Sequence, residues 1–348
     1  MKKTKKLMRG AIAMAVMATS LSLSGAVLAE KMLDDGMRVT LLGTGSPIPS
    51  PDRFSQAILV EAGEQKLLFD LGRGVTIRLA QMDIPFRDID ASFITHMHSD
   101  HLVGLPDFWL SGWLPTPFGS REEPMKLYGP HGTEHMADHL TQAFAEDIRI
   151  RKADEELEAS GVAFEASDIV AGPVYEQDGV KVTAFETEHG ELIKPSYGYT
   201  ITYQDYKVVI PSDSVYDENV AREAAGADLL VHEVAMIDHE LREEYPRLNN
   251  VMAHHTSPED AGRIFSQASP RLAAYTHYVI FAKGEGSDAS ADEKIEELTR
   301  TTYEGPLVLG QDLTSFLISE DNITVTTGEG KEVMVLNDGA RNRDGTQR

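Results

Sequence analysis

Residues 95–101 read Thr-His-Met-His-Ser-Asp-His, directly after the apolar, strand-like run Ile89–Thr95. Three imidazoles and a carboxylate within six positions constrain this chain more than any other stretch. Packing gives no reason for so many imidazoles in one turn. A metal does, because zinc takes imidazole and carboxylate ligands in near-tetrahedral geometry. In extended backbone, residues two apart point the same way, so His96 and His98 can reach one ion. Asp100 and His101 sit where the chain turns toward a helix and can serve a second ion. Four ligands do not close two sites, so further His and Asp must come from elsewhere.

The chain has no cysteine, so His, Asp and Glu alone must hold any metal. Similar turns after strand-like runs supply candidates. His189 follows Val182 to Glu186, Asp213 follows Lys207 to Ile210, and His277 follows Leu272 to Tyr275. Strand-end loops are where catalytic residues are normally mounted. A carboxylate such as Asp213 can bridge two metals ~3.5–4 Å apart. A lone histidine at a strand end more often simply packs, so these three gain their meaning from the cluster. His131, His135 and His139 are spaced by four and would share a helix face, with a plain surface role preferred.

The N-terminus, MKKTKKLMRG followed by an apolar run ending in Ala29, has the pattern of a signal peptide over residues 1–29. The expectation is export to the periplasm or medium with cleavage after Ala29. No second apolar stretch is long enough to span a bilayer, so no stable membrane anchor is expected. Removing residues 1–29 leaves 27 basic residues against 56 acidic, a net charge of −29. A surface that negative repels nucleic-acid backbones. A large nucleic acid is therefore not expected as a partner. A small anionic substrate remains compatible where metal ions supply positive charge, and a homodimer is left open. Strand-like runs come in two blocks, each with helical stretches. This order reads as an α/β protein of two packed sheets with helices outside, over residues 30–336. Residues 147–172 read as a helix or an arm. Residues 337–348 read as a flexible polar tail.

With these motifs in view, the chain resembles metallo-β-lactamase-fold hydrolases, and within them the ribonuclease Z branch. The similarity runs over roughly residues 37–318, through LLGTGSPIPSPDR, LLFDLGRG, THMHSDHLVGLP, LYGPHGT, PSYGYTI, IPSDS, ADLLVHEVAM, HHTSPEDA and YTHY. The resemblance implies an αββα sandwich with two zinc ions at one edge. It implies that His96, His98 and His189 hold one zinc, that Asp100, His101 and His277 hold the other, and that Asp213 bridges them. It makes His255 the proton donor to the leaving group, Glu233 the residue that orients it, and Asp70 a support beneath the metal turn. The stretch LPDFWLSGWLP looks more like exported arylsulfatase-type members.

The expected chemistry is hydrolysis of a small anionic ester by a water that the two metals acidify, with Asp100 orienting it. Aryl sulfate esters are the first substrate expectation, favoured by export and by residues 105–115. The alternative is a phosphodiesterase acting on small or cyclic nucleotides, favoured by HHTS and HEVA. A lactonase and a non-catalytic metal-binding protein are weaker readings. Trp109 and Trp113, four apart, either wall an aromatic pocket or pack a helix onto the sheet. Lys194 and Arg73 lie beside motif turns and are candidate anion contacts.

Overall fold

The computed structural model describes residues 36–282 and 287–337. The signal-peptide expectation and residues 338–348 of the expected tail lie outside these. Residue 337 does not begin a tail: it closes the last strand described below.

The first sheet takes β1 (Met37–Gly43), β2 (Ala57–Ala62), β3 (Gln65–Phe69), β4 (Ala91–Phe93), β5 (Met125–Gly129) and β6 (Phe164–Asp168). The second takes β7 (Gly172–Gln177), β8 (Val180–Glu186), β9 (Tyr197–Tyr203), β10 (Tyr206–Ser212), β11 (Leu229–Ile237), β12 (Leu272–Phe281) and β13 (Leu307–Leu309). The chain then returns to the first sheet through β14 (Ser315–Ile318), β15 (Asn322–Thr326) and β16 (Glu332–Asn337). The strand orders are β16-β15-β14-β1-β2-β3-β4-β5-β6 and β13-β12-β11-β10-β9-β8-β7. The return rests on antiparallel pairing of β14 with β1, in which Val39 faces Phe316. Strands β15 and β16 lie beyond Ile318, where the family resemblance ends.

Alternation within strands builds the layers. In β10, Val208 and Ile210 point into the core between the sheets, with Phe69, Phe93 and Tyr199. Val209 between them points outward, to a second cluster with Ile264, Phe265 and Ile295. On the far face of the first sheet, Leu59 and Leu68 meet Leu79, Leu105 and Phe108 from the helices Val75–Gln81 and Leu105–Trp113. Buried apolar side chains on both faces of both sheets require helices outside, which is the four-layer αββα sandwich.

Strands β3 to β6 run parallel, as do β10 to β13. Parallel strands present their C-terminal ends on one side, where α/β folds place their ligands. The turns after β3, β4, β8 and β10 therefore gather at one edge of the sandwich. Residues 147–172, read as a helix or an arm, divide among the helix Ala145–Asp154, a short 3-10 turn, β6 and the start of β7.

Candidate metal centre

The turn after β4 carries His96, His98, Asp100 and His101, with all but His98 buried. The loop after β8 brings His189, and the end of β10 brings Asp213. His96 Nε2 lies 3.0 Å from His98 Nδ1, and His189 Nε2 lies 3.2 Å from that same nitrogen. Asp213 Oδ2 stands 3.9 Å from His96 Nε2, 3.7 Å from His189 Nε2, and 3.4 Å from both His101 Nε2 and His277 Nε2. Asp100 Oδ2 is 3.0 Å from His277 Nε2 and 3.5 Å from His101 Nε2. Two clusters result, His96–His98–His189 and Asp100–His101–His277, with Asp213 between them, and a third grouping sets His255 with Asp213 and His277.

His277 does not follow its strand, as the sequence suggested; it lies inside β12. Opposite it, β11 pairs Glu233 with Thr276 and Val234 with Tyr278, so His277 is the extra residue of a bulge. Its φ of 41° marks the kink, and a bulge of this kind re-aims a side chain. Asp70 and Ser212 also hold positive φ, 59° and 62°. Backbone strain in non-glycine residues gathers at functional sites. The turn Asp70–Gly74 fits beneath Asp100 because residue 72 is glycine: a Cβ there would meet Asp100 O at 2.6 Å.

The rings are oriented from behind. His101 Nδ1 lies 2.7 Å from Asp70 Oδ2, and His189 Nδ1 lies 2.8 Å from the carbonyl of His254. Gly190 has φ 126°, and a Cβ on it would come within 3.0 Å of the His254 ring. Electrostatics suits a cation. Burial holds His96 well below its ordinary value, with His101, His189 and His98 adding to it and Asp213 opposing. Burial likewise lowers His189 to about 4, again against Asp213. Burial would lower His101, but Asp70, Asp213 and Asp100 together raise it well above the usual range. Burial would raise Asp213, yet His277, His101 and His96 hold it well below the usual carboxylate range. The centre thus sets the neutral imidazoles of His96 and His189 beside the ionised carboxylate of Asp213.

These residues fit a pair of divalent metals. The 3.0 and 3.2 Å spacings approach the edge of a tetrahedron around an ion bound at ~2.0–2.1 Å, roughly 3.3 Å. His101 Nε2 and Asp213 Oδ1 are buried with no hydrogen-bond partner, although such groups are normally paired.

Beside the ligand clusters stands His255, its Nδ1 3.1 Å from Glu233 Oε1. Glu233 is wholly buried, and Oε1 also accepts the backbone N–H of Thr256 at 3.0 Å and of Ser214 at 3.3 Å. Burial would lower His255, but Glu233, by charge and hydrogen bond, and then Asp213 and Asp100 push it up to about 9. The His255 ring centroid is 5.1 Å from that of His189 and 5.8 Å from that of His277.

The expected substrate contacts are placed less favourably. Trp109 and Trp113 do not wall a pocket. They are 0% and 3% exposed, and their indole N–H groups donate to the carbonyls of Val162 and Glu158 at 2.9 Å. They pack the helix Leu105–Trp113 onto the sheet, the other of their two readings. Lys194 is exposed on the loop that carries His189, but its ammonium pairs with Glu188 at 3.0 Å. Arg73 is exposed and donates to Ser55 Oγ at 3.3 Å. His131, His135 and His139 lie on the surface, away from the ligand clusters. An apolar cavity of about 710 Å³ between Leu241, Tyr245, Leu248 and Phe281 includes none of the ligands. The sequence reading missed Thr95 and Ser212, both buried behind the rings. Their positions beside His96 and Asp213 were the only signal available.

The αββα sandwich with this His/Asp edge defines a metallo-β-lactamase-fold metallo-hydrolase. The family model described as "Anti-Pycsar protein Apyc1" matches residues 37–255. The chain is also 34% identical over 277 residues to ribonuclease Z of Mycobacterium bovis (strain BCG / Pasteur 1173P2), covering 80% of this chain and 96% of the relative. To ribonuclease Z of Mycobacterium marinum it is 32% identical, covering 80% and 97%. The chain therefore belongs to the Anti-Pycsar protein Apyc1 family, among the ribonuclease Z-like members of the fold. Solved structures share the fold: the metallo-β-lactamase fold protein YhfI from Bacillus subtilis (TM-score 0.61, 20% identity, 82% of this chain, 100% of that one) and human tRNase Z, short form (TM-score 0.57, 20% identity, 80% and 98%).

Proposed function

We propose that this chain hydrolyses small phosphodiesters, cyclic nucleotides among them, rather than aryl sulfate esters. The observation that carries the reading is the His255–Glu233 pair at the edge of the metal cluster. A phosphodiester of a sugar leaves as an alkoxide, which needs a proton; a phenolate needs one far less. A protonated His255 held by a buried Glu233 supplies that proton. The relatives named ribonuclease Z support a phosphodiester over a sulfate. The sulfate expectation drew on residues 105–115, and Trp109 and Trp113 there are occupied in packing.

When bound, two divalent ions supply Lewis acidity that acidifies water and offsets phosphoryl charge. His96, His98 and His189 would hold one, Asp100, His101 and His277 the other, and Asp213 both. Asp100 orients the attacking water from its place beside His277. Glu233 holds His255 Nδ1, so the opposite ring nitrogen, Nε2, delivers the proton to the leaving oxygen. The acidic surface keeps long nucleic acids away by repulsion, which leaves small substrates.

Two measurements test this. Mature protein beginning at Glu30, loaded with zinc or manganese, is expected to cleave bis-nitrophenyl phosphate well above nitrophenyl sulfate, and to stop on chelation. A sulfate rate above the phosphate rate would overturn the proposal. His255→Ala is expected to slow an alkyl-leaving diester by about 10²–10⁴-fold, the usual worth of a general acid, while sparing the nitrophenyl substrate. Equal slowing of both substrates would remove His255 from the acid role.

A further inference from the structure

Behind the metal ligands lies a buried hydroxyl with more neighbours than protons. Thr95 is fully buried, and its Oγ1 has Ser212 Oγ at 2.8 Å, His96 Nδ1 at 3.1 Å, and the two oxygens of Asp70 at 3.0 and 3.1 Å. A hydroxyl has one proton to give and two lone pairs to accept with. His101 Nδ1 lies farther off, at 3.5 Å, and one assignment of the shorter contacts leaves a ligating nitrogen free. A carboxylate only accepts, and Asp70 already takes the Thr95 backbone N–H at 2.9 Å, so the Thr95 proton goes to Asp70. The two lone pairs then receive the Ser212 hydroxyl and the His96 Nδ1–H. His96 Nε2 is left bare, 3.0 Å from His98 Nδ1 and facing Asp213. In the opposite arrangement His96 would carry its proton on Nε2, in the middle of the ligand cluster, and no cation could sit there.

We propose that Thr95, backed by Ser212, is a positioning residue that fixes the His96 tautomer and so the affinity of the metal site. The hydrogen-bond chain runs Ser212 to Thr95 to Asp70, and Asp70 also receives His101 Nδ1 at 2.7 Å. One chain therefore orients a ligand from each cluster. It also ties the sheets together: Ser212 ends β10 in the second sheet, next to Asp213, and Thr95 leaves β4 in the first. Groups behind metal-bound imidazoles fix the tautomer and ring direction, and losing one costs about 10–100-fold in affinity. The inference concerns metal binding alone and is independent of the substrate reading.

The test is zinc affinity, measured on metal-free protein in competition with a chromophoric chelator. Thr95→Val keeps the shape and removes the hydroxyl; it is expected to weaken zinc about 10–100-fold, while Thr95→Ser stays within about threefold of wild type. Thr95→Val binding zinc as tightly as wild type would overturn the proposal. So would Thr95→Ser as weak as Thr95→Val, since the γ-methyl rather than the hydroxyl would then matter. A second readout needs no variant and decides the matter should Thr95→Val fail to fold. Nitrogen-15 NMR of metal-free wild type is expected to show His96 protonated on Nδ1. Protonation on Nε2 would sink the assignment.

Discussion

Asp213→Ala is expected to cut kcat/KM by roughly 10³–10⁴-fold, the several kcal/mol that a metal centre contributes at about 1.4 kcal/mol per tenfold. One carboxylate oxygen faces four imidazole nitrogens at 3.4–3.9 Å, two from each ligand cluster. Removing it deletes the group the two clusters share and leaves His96 and His189 without their carboxylate, while Asp100 still faces His101 and His277. The protein should therefore also lose at least one of two bound metal equivalents, counted by elemental analysis after gel filtration. A variant that kept both equivalents and stayed within tenfold of wild-type activity would show that Asp213 does not bridge.

The second large effect falls on stability. Trp109→Ala should destabilise the fold by about 3–5 kcal/mol, the range for truncating a buried large aromatic. Trp109 stacks on Phe164 with ring centroids 4.7 Å apart and meets Phe144 edge-on at 6.0 Å. Its indole N–H satisfies the Val162 carbonyl, which would be left buried and unpaired. Denaturant unfolding of metal-loaded wild type and variant measures the loss. The KM of the folded variant for a nitrophenyl substrate should stay near wild type. A stability loss below about 1 kcal/mol together with a raised KM would return Trp109 to the substrate pocket.

The two effects differ in how far the sequence announced them. His96, His98, Asp100 and His101 are local: a seven-residue turn with that density of ligands declares a metal site before any fold is known. The layered architecture was legible too, because the strand-like runs come in two blocks, each with helical stretches. Turns after strand-like runs offered His189, Asp213 and His277 as candidates, but their assignment to particular ions, and the roles of Asp70, Glu233 and His255, needed the resemblance. The strand blocks alone did not show that β14 to β16 rejoin the first sheet. Strand β14 takes its place from its pairing partner β1, and β15 and β16 follow it by antiparallel pairing, rather than from their own pattern.

Sequence by itself determined that this chain binds metal through His and Asp, and that it folds as sheets covered by helices. Periodicity and ligand density are properties of neighbouring residues, and they survive in one dimension. Only the tertiary structure decided which way the side chains point. It placed His277 in a bulge that turns its ring onto Asp100 and Asp213, and of the two readings of Trp109 it realised the packed one. It also set Ser212 and Thr95, 117 residues apart, at hydrogen-bond distance behind the ligands. Those outcomes depend on register and on contacts across the two sheets, and no local pattern encodes them.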